Sequence, residues 1–218
     1  MFSWIHQFDL FLFDFDGLLV STERLHYRSY IAAFQSFGFH LDWTFEEFTE
    51  LAHRHAMIFR KALYEKFPTL NPNWDLLYTE KRKQYEKLID EGAVDLMPGV
   101  EGLLKELERA QIRRCVATHS PRAPVEKIKQ AHPCLQTIPL WITREDYLNP
   151  KPSSDCYHLA IQKLGEPGDR IIGFEDSIRG FQALQGTEAL PVLICPSSNV
   201  PAGLDGLHFE SLEQIQLS

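Results

Sequence analysis

The chain has 218 residues, 44% of them hydrophobic and 24% charged, the balance of a soluble globular protein long enough to bury a substantial core. With 30 acidic against 22 basic residues the net charge is −8, and no long basic run interrupts it, which argues against a nucleic-acid partner. The same charge repels an anionic substrate at long range, so any phosphate site must be made attractive locally, by a metal ion, a lysine or helix N-termini.

No apolar stretch approaches the ~20 residues that span a bilayer. The start, "MFSWIHQFD", has neither the basic beginning nor the apolar core of a signal sequence, so a cytoplasmic protein is expected. Cys115, Cys134, Cys156 and Cys195 are scattered without paired spacing and read as buried, reduced thiols.

In chain order, "FDLFLFD" (8–14) is the first strand candidate, an apolar run without strict alternation, as in a strand covered on both faces of a parallel sheet. It ends in Asp14, with Asp16 and Gly17 just beyond. Residues 21–92 are helical in pattern. "ERLHYRSYIAAFQSFG" brings Leu25, Tyr30, Ile31, Phe34 and Phe37 to one face and stops at Gly38. "TFEEFTELAHRHAMIFRKALYEKF" and "WDLLYTEKRKQYEKLIDEG" continue in the same style. More than half of the aromatic residues fall here, which reads as a helical bundle packing its own core rather than a set of stacking platforms.

"PGVEGLLKELERAQ" (98–111) is an ordinary crossover helix. After it come the strand candidates "RRCVATH" (113–119), "PLWIT" (139–143), "RIIGFED" (170–176) and "LPVLICP" (190–196). Between them lie the helical stretches "PRAPVEKIKQAH", "KPSSDCYHLAIQKLG" and "DSIRGFQALQG". Pro152 suits an early helix position in the second, and Gly165 and Gly186 close the second and third. The alternation predicts an α/β fold: a Rossmann-like parallel sheet core (residues 1–20 and 93–218) with an inserted α-helical cap domain over 21–92. A crossover needs only about a dozen residues, so the insert is surplus. It leaves directly after a strand's carboxyl end, where such sheets bind ligands, which is the position of a lid.

In a parallel sheet the carboxyl ends of the strands share one edge, so polar residues that close different strands converge. They are Asp14 and Asp16 after the first strand, Thr118, His119 and Ser120 after the second, Lys151 after the third, and Glu175 and Asp176 at the end of the fourth. Together they could supply a carboxylate cage for Mg2+, a hydroxyl and an ammonium for phosphate oxygens, and a carboxylate that attacks phosphorus. Singly, each has a plainer reading. An Asp-x-Asp is often a turn, Glu175–Asp176 and Ser120 could cap the helices that follow them, Thr118 could merely end its strand, and Lys151 could be solvated. His119 reads equally as a pocket or an exposed residue, and His26 as a hinge residue or a packed helix histidine. "HRH" (53–55) has i and i+2 spacing, which points to different sides of a helix and so to surface residues rather than metal ligands. Arg54, Arg60 and Lys61 are candidates for meeting the part of a substrate that is not transferred.

"DFDGLLVSTE", "VATHS", "KPSSDCYHLA" and "GFEDS" resemble, in order, the four motifs of the haloacid dehalogenase-like hydrolase superfamily. The insert is similar to the cap of the subgroup that holds phosphoglycolate phosphatases, sugar-phosphate phosphatases and β-phosphoglucomutase. The resemblance implies that Asp14 attacks a phosphomonoester and forms an aspartyl-phosphate, while Asp16 first donates a proton and then takes one from water. It further implies that Asp14, the backbone carbonyl of Asp16, and Asp176 hold Mg2+ with Glu175 nearby. Thr118 and Lys151, with His119 and Ser120 beside them, then bind the transferred group.

The chain departs from the pattern in places. Leu18 stands where the phosphatases usually have Thr, Ser21 where Asp is frequent, and His119 where small residues are common. "ELAHRHAMIFRKAL" occupies the region where a β-phosphoglucomutase would carry a glycine-rich, arginine-bearing loop. A phosphonatase would want a cap lysine, for which Lys61 or Lys66 is available, and a dehalogenase would leave Asp16 superfluous. The expectation is a Mg2+-dependent phosphatase of a small phosphorylated metabolite, a monomer or weak dimer, with no nucleic-acid or membrane partner. The alternatives are a phosphomutase and a non-catalytic binding protein of the same fold.

Overall fold

Strand β1 (Leu10–Phe13) is buried at every position, as its unbroken apolar run requires. The computed structural model describes residues 3–52, 56–70, 73–201 and 203–217. β1 lies between β2 (Arg113–Ala117) and β4 (Ile171–Glu175), both parallel to it. β3 (Leu140–Ile142) pairs outside β2, and β5 (Leu190–Ile194) and β6 (Leu207–Phe209) follow outside β4. The order β3-β2-β1-β4-β5-β6 is that of a Rossmann-like sheet. The chain runs outward from β1 to β3 and then returns to the far side of β1, so the connections diverge at the carboxyl ends of β1 and β4. The parallel α/β class expected from the sequence is therefore present. The sequence reading missed β6, whose three half-buried residues are too few to show a pattern.

The chain divides into two compact units, Met1–Ser21 with Asp95–Ser218, and Thr22–Val94. The second is helical: α1 (Glu23–Ser36), α2 (Phe45–Ala52), α3 (Ala56–Lys66) and α4 (Trp74–Asp90). It packs its own core of Tyr30, Ala33, Phe34, Leu41, Phe48, Phe59, Leu63, Leu70 and Leu77. Rings meet edge-on or tilted, as in Phe34–Phe67 at 5.0 Å and Phe48–Phe59 at 5.4 Å. The buried face of α1 is Leu25, Ser29, Tyr30, Ala33 and Phe34. Phe37, expected on that face, is 41% exposed, because the helix has already ended and Gly38 turns the chain with φ +78°.

In the sheet unit, α5 (Val100–Arg109) precedes β2, and α6 (Arg122–Ala131) and the short α7 (Pro133–Gln136) precede β3. α8 (Asp155–Leu164) and α9 (Ile178–Gln185) precede β4 and β5. Pro152 does not open α8, contrary to expectation. Residues 151–154 form turns first, with Ser153 and Asn149 hydrogen-bonded to the Asp155 carboxylate, and Ser154 is the residue before the helix. The segments that leave for and return from the helical unit are fastened to each other within the sheet unit. Ser21 N donates to Asp95 O at 2.9 Å, Met97 N to Leu19 O at 3.0 Å, and Val20 bridges Leu96.

Successive residues of β1 feed two layers. Leu10 and Leu12 pack with Cys156, Tyr157, Ala160 and Leu184, while Phe11 and Phe13 stack with Phe174, at 6.0 and 5.3 Å. Trp4 closes this second layer at 5.7 Å from Phe11. Gly173 of β4 leaves the space that the Leu184 side chain of α9 fills. All four cysteines are buried and free. No helix among the described residues is long and apolar enough to cross a membrane.

Truncating Phe174 to Ala removes the ring shared by this stack and should cost about 3–5 kcal/mol of stability, read from urea unfolding. A loss under about 1 kcal/mol would mean that the layer repacks.

Candidate active site

The register of β1 decides which groups meet. Phe13 lies opposite Val116 on one side and Phe174 on the other. The next residue along, Asp14, therefore comes level with Ala117 and Glu175, and Asp14 N continues the ladder to Phe174 O at 3.0 Å. Asp14 and Glu175 are buried, 7% and 1% exposed. One oxygen from each of Asp14, Glu175 and Asp176 lies within 4.8 Å of the others. Burying carboxylates together is costly unless a cation joins them.

Lys151 supplies one cation. Its ammonium donates to Asp14 Oδ1 at 2.5 Å and to Ala117 O at 2.9 Å, and it pairs with Glu175 Oε1 at 2.6 Å. Its three N–H donors thus meet three acceptors from three neighbouring strands. Burial alone would weaken its hold on the proton, but Asp14 and Glu175 outweigh that and raise its pKa well above the lysine range. Arg179 Nη2 donates to Lys151 O at 2.6 Å and anchors the backbone there.

A single ammonium is not enough for three acidic groups. Burial and the neighbouring Glu175 push the Asp14 pKa up to about 8, against the opposing pull of Lys151 and with a further push from Asp16. Glu175 Oε1 also accepts from the Tyr157 hydroxyl, whereas its Oε2 is buried with no hydrogen-bond partner. A buried carboxylate oxygen without a hydrogen-bond donor, in a cluster of three acidic groups, belongs to a set of oxygens that could hold a hard divalent cation.

Asp16 sits differently. It is half-buried, and its Oδ2 accepts from Thr118 Oγ1 at 3.1 Å and Ser120 Oγ at 2.6 Å. Thr118 in turn accepts from Ser120 N at 2.9 Å. Gly17, at φ +81°, turns the chain here, and a Cβ at that position would collide with the Asp176 carboxylate. Gly180 similarly leaves room for the carboxylate of Glu175.

The sequence-predicted residues Asp14, Asp16, Thr118, Ser120, Lys151, Glu175 and Asp176 thus gather at one edge. Two plainer readings fail. The cap of α9 is Ser177, which accepts from Gly180 N at 3.2 Å, so Glu175 and Asp176 are not needed for it. Ser120 does not cap α6, which follows Pro121 without a side-chain cap. His119 is exposed at the rim, its Nδ1 3.1 Å from the Tyr147 hydroxyl. Partial burial, and then the charges of Arg144, Arg179 and Lys151, lower its pKa.

In the helical unit, His26 stacks on Tyr85 at 4.4 Å, and its Nδ1 accepts from the buried Lys81 ammonium at 2.8 Å. Arg60 lies over the Tyr64 and Trp74 rings, Lys61 is exposed beside Glu65, and Lys66 pairs with Asp42. Neither lysine has the desolvated setting of a Schiff-base amine. Arg54 and the rest of "HRH" (53–55) lie outside the described residues. Sequence reasoning missed Arg144 and Tyr147 in the turn after β3, Tyr157 on α8 and Arg179 on α9, because only tertiary packing brings each to the edge.

A haloacid dehalogenase-like hydrolase family model matches residues 8–186, and the chain belongs to that family. Protein CbbY of Cereibacter sphaeroides is 33% identical over 184 residues, 80% of this chain and 79% of that one. A phosphorylated carbohydrates phosphatase of Thermotoga maritima is 26% identical over 182 residues, 79% of this chain and 78% of that one. Solved structures of CbbY from Rhodobacter sphaeroides, one in complex with phosphate and one, a mutant, with xylulose-1,5-bisphosphate, superpose with TM-scores of 0.76 and 0.75. Both are 29% identical and cover 95% of this chain and 96% of theirs.

The raised Asp14 pKa has a measurable consequence. The folded chain holds this proton more tightly than the unfolded chain, so stability falls as pH rises between the two values. In chelator-treated protein, the stability of wild type relative to Asp14→Asn should decline from about pH 4 to about pH 8 and then level off. Urea unfolding at each pH measures it, and a pH-independent difference would mean that Asp14 titrates as an ordinary carboxylate.

Proposed function

We propose that the chain is a Mg2+-dependent phosphatase that hydrolyses a small phosphorylated metabolite, a sugar phosphate foremost, through an aspartyl-phosphate. The observation that carries the reading is the cluster of the buried Asp14 and Glu175 with the half-buried Asp176, whose negative charge exceeds what Lys151 offsets. Family membership, and the resemblance to a carbohydrate phosphatase and to CbbY, support the same class.

Asp14, Glu175 and Asp176 would hold the Mg2+, with the Asp16 backbone carbonyl joining them. When bound, the ion offsets the charge of the carboxylates and of the phosphoryl oxygens. The Asp14 carboxylate attacks phosphorus, and the bond to the leaving oxygen breaks as the bond to Asp14 forms. Asp16 gives that leaving oxygen its proton. The hydroxyls of Thr118 and Ser120, both on Asp16 Oδ2, hold the carboxyl in orientation. Asp16 then takes a proton from water, whose oxygen displaces Asp14 from phosphorus and releases inorganic phosphate. One carboxylate buried beside an ammonium and another held by hydroxyls have unlike environments, which is how two neighbouring acids take opposite roles. Lys151, with Thr118, His119 and Ser120 at the same edge, would bind the transferred group and oppose its charge as it builds. With all three of its donors engaged, Lys151 must give up one contact to do so.

With p-nitrophenyl phosphate, Asp14→Asn should lower turnover by about 10³-fold or more while calorimetry still detects Mg2+ binding. An Asp14→Asn enzyme that keeps substantial activity would overturn the assignment. Stoichiometric release of inorganic phosphate separates hydrolysis from transfer within the substrate. Mg2+ should also raise the thermal midpoint of wild type, since a cation that binds the folded chain alone stabilises it. An unchanged midpoint in millimolar Mg2+ counts against the metal site.

A further inference from the structure

The sheet unit has seven arginines. Arg109, Arg113, Arg122 and Arg170 each pair with a carboxylate. Arg114 is buried on the backbone carbonyls of Ile112 and Thr137. The other two, Arg144 and Arg179, reach solvent yet meet no carboxylate among the described residues, although acidic groups outnumber basic ones in the chain. Arg144 follows β3, and its guanidinium donates to Tyr147 O at 2.7 Å and Leu148 O at 3.3 Å. Arg179 stands on the first turn of α9, fixed through one nitrogen to Lys151 O. Each guanidinium has five N–H donors, so both keep donors for a planar anion.

These residues occupy the edge that carries Asp14. Arg144 N donates to Ser120 O at 3.1 Å, which ties the loop after β3 to the loop after β2. Tyr147 reinforces the tie, since its hydroxyl donates to Thr118 O at 3.1 Å, and it also meets His119. The Tyr147 ring joins the two sides, with the Arg144 guanidinium 5.4 Å from its centroid and the His119 ring 6.4 Å from it. Lys151 is already committed to Asp14 and Glu175 and is not available for a second group.

We propose that Arg144 and Arg179, with His119 beside them, form a second anion subsite on the rim of the sheet unit, so that the substrate carries another phosphate or a carboxylate besides the phosphoryl group removed. This subsite presupposes the phosphatase reading above and narrows its substrate class. A chain of net charge −8 repels a substrate with two anionic groups unless such local cations receive both.

Inhibition of p-nitrophenyl phosphate turnover in excess Mg2+ tests it. The probes are propane-1,3-bisphosphonate, 3-phosphonopropionate and, as the singly headed control, propylphosphonate. At least one doubly anionic probe should inhibit wild type about tenfold or more better than the control. The stronger of the two tells whether phosphate or carboxylate is preferred. That advantage should shrink to within about threefold in Arg144→Gln and Arg179→Gln, both checked for folding by their melting curves. Equal inhibition by all three probes overturns the subsite, as does an advantage that survives both substitutions, and either result leaves the phosphatase reading standing. If wild type does not hydrolyse p-nitrophenyl phosphate with Mg2+, the phosphatase reading fails instead. Calorimetric binding of the same probes then decides the subsite by the same ratios.

Discussion

One buried ammonium, two buried carboxylates and a third, half-buried one set the terms for the rest of the sheet unit. Lys151 links β1, β2 and β4 through Asp14, Ala117 and Glu175, yet its single charge leaves the cluster negative. Such an arrangement is poor at stabilising a fold. Desolvating ions costs more than one ion pair returns, and removing either partner leaves an uncompensated charge. The stability comes from below. The Phe11–Phe13–Phe174 stack and the Leu10–Leu12–Tyr157 layer fill both faces of β1 and supply the apolar burial that holds a strained electrostatic site in place. The surplus of negative charge makes the edge receptive to a cation.

Much of this was legible in the sequence, for a definite reason. An apolar run that stops at an acid, repeated from strand to strand, specifies both a buried parallel sheet and a polar edge, and the residues at that edge could be named one by one. What joins them to each other was not legible. That Lys151 grips Asp14 across 137 positions depends on a strand register that no local pattern encodes. The same holds for Asp16, whose two hydroxyl partners lie 102 and 104 positions away. Local errors had local causes. Phe37 matched the helical period but lay past the end of α1, and Pro152 looked like a helix opener where the Asp155 side chain instead organises a preceding turn.

The helical unit follows another logic. Its rings interlock edge to face around Phe34, Phe48 and Phe59, so its richness in aromatic residues is accounted for by its own interior. The charged residues in it are mostly engaged: Arg60 with two rings, Lys66 with Asp42 and the Trp43 ring, and Lys81 with His26 and three tyrosines. Ring faces around a cation lower the cost of keeping a positive charge in a mostly apolar interior.

The paired backbones of Leu19–Ser21 and Asp95–Met97 act as a clasp around the neck of the insertion. Whatever the chain does between them, the Asp14–Gly17 turn is anchored on the near side of the clasp. Because the entropy of closing a loop grows only slowly with its length, helical modules of quite different size could be exchanged at this neck without retuning the acidic turn beneath it. A lineage could thereby acquire new substrates by replacing a module while inheriting the chemistry intact.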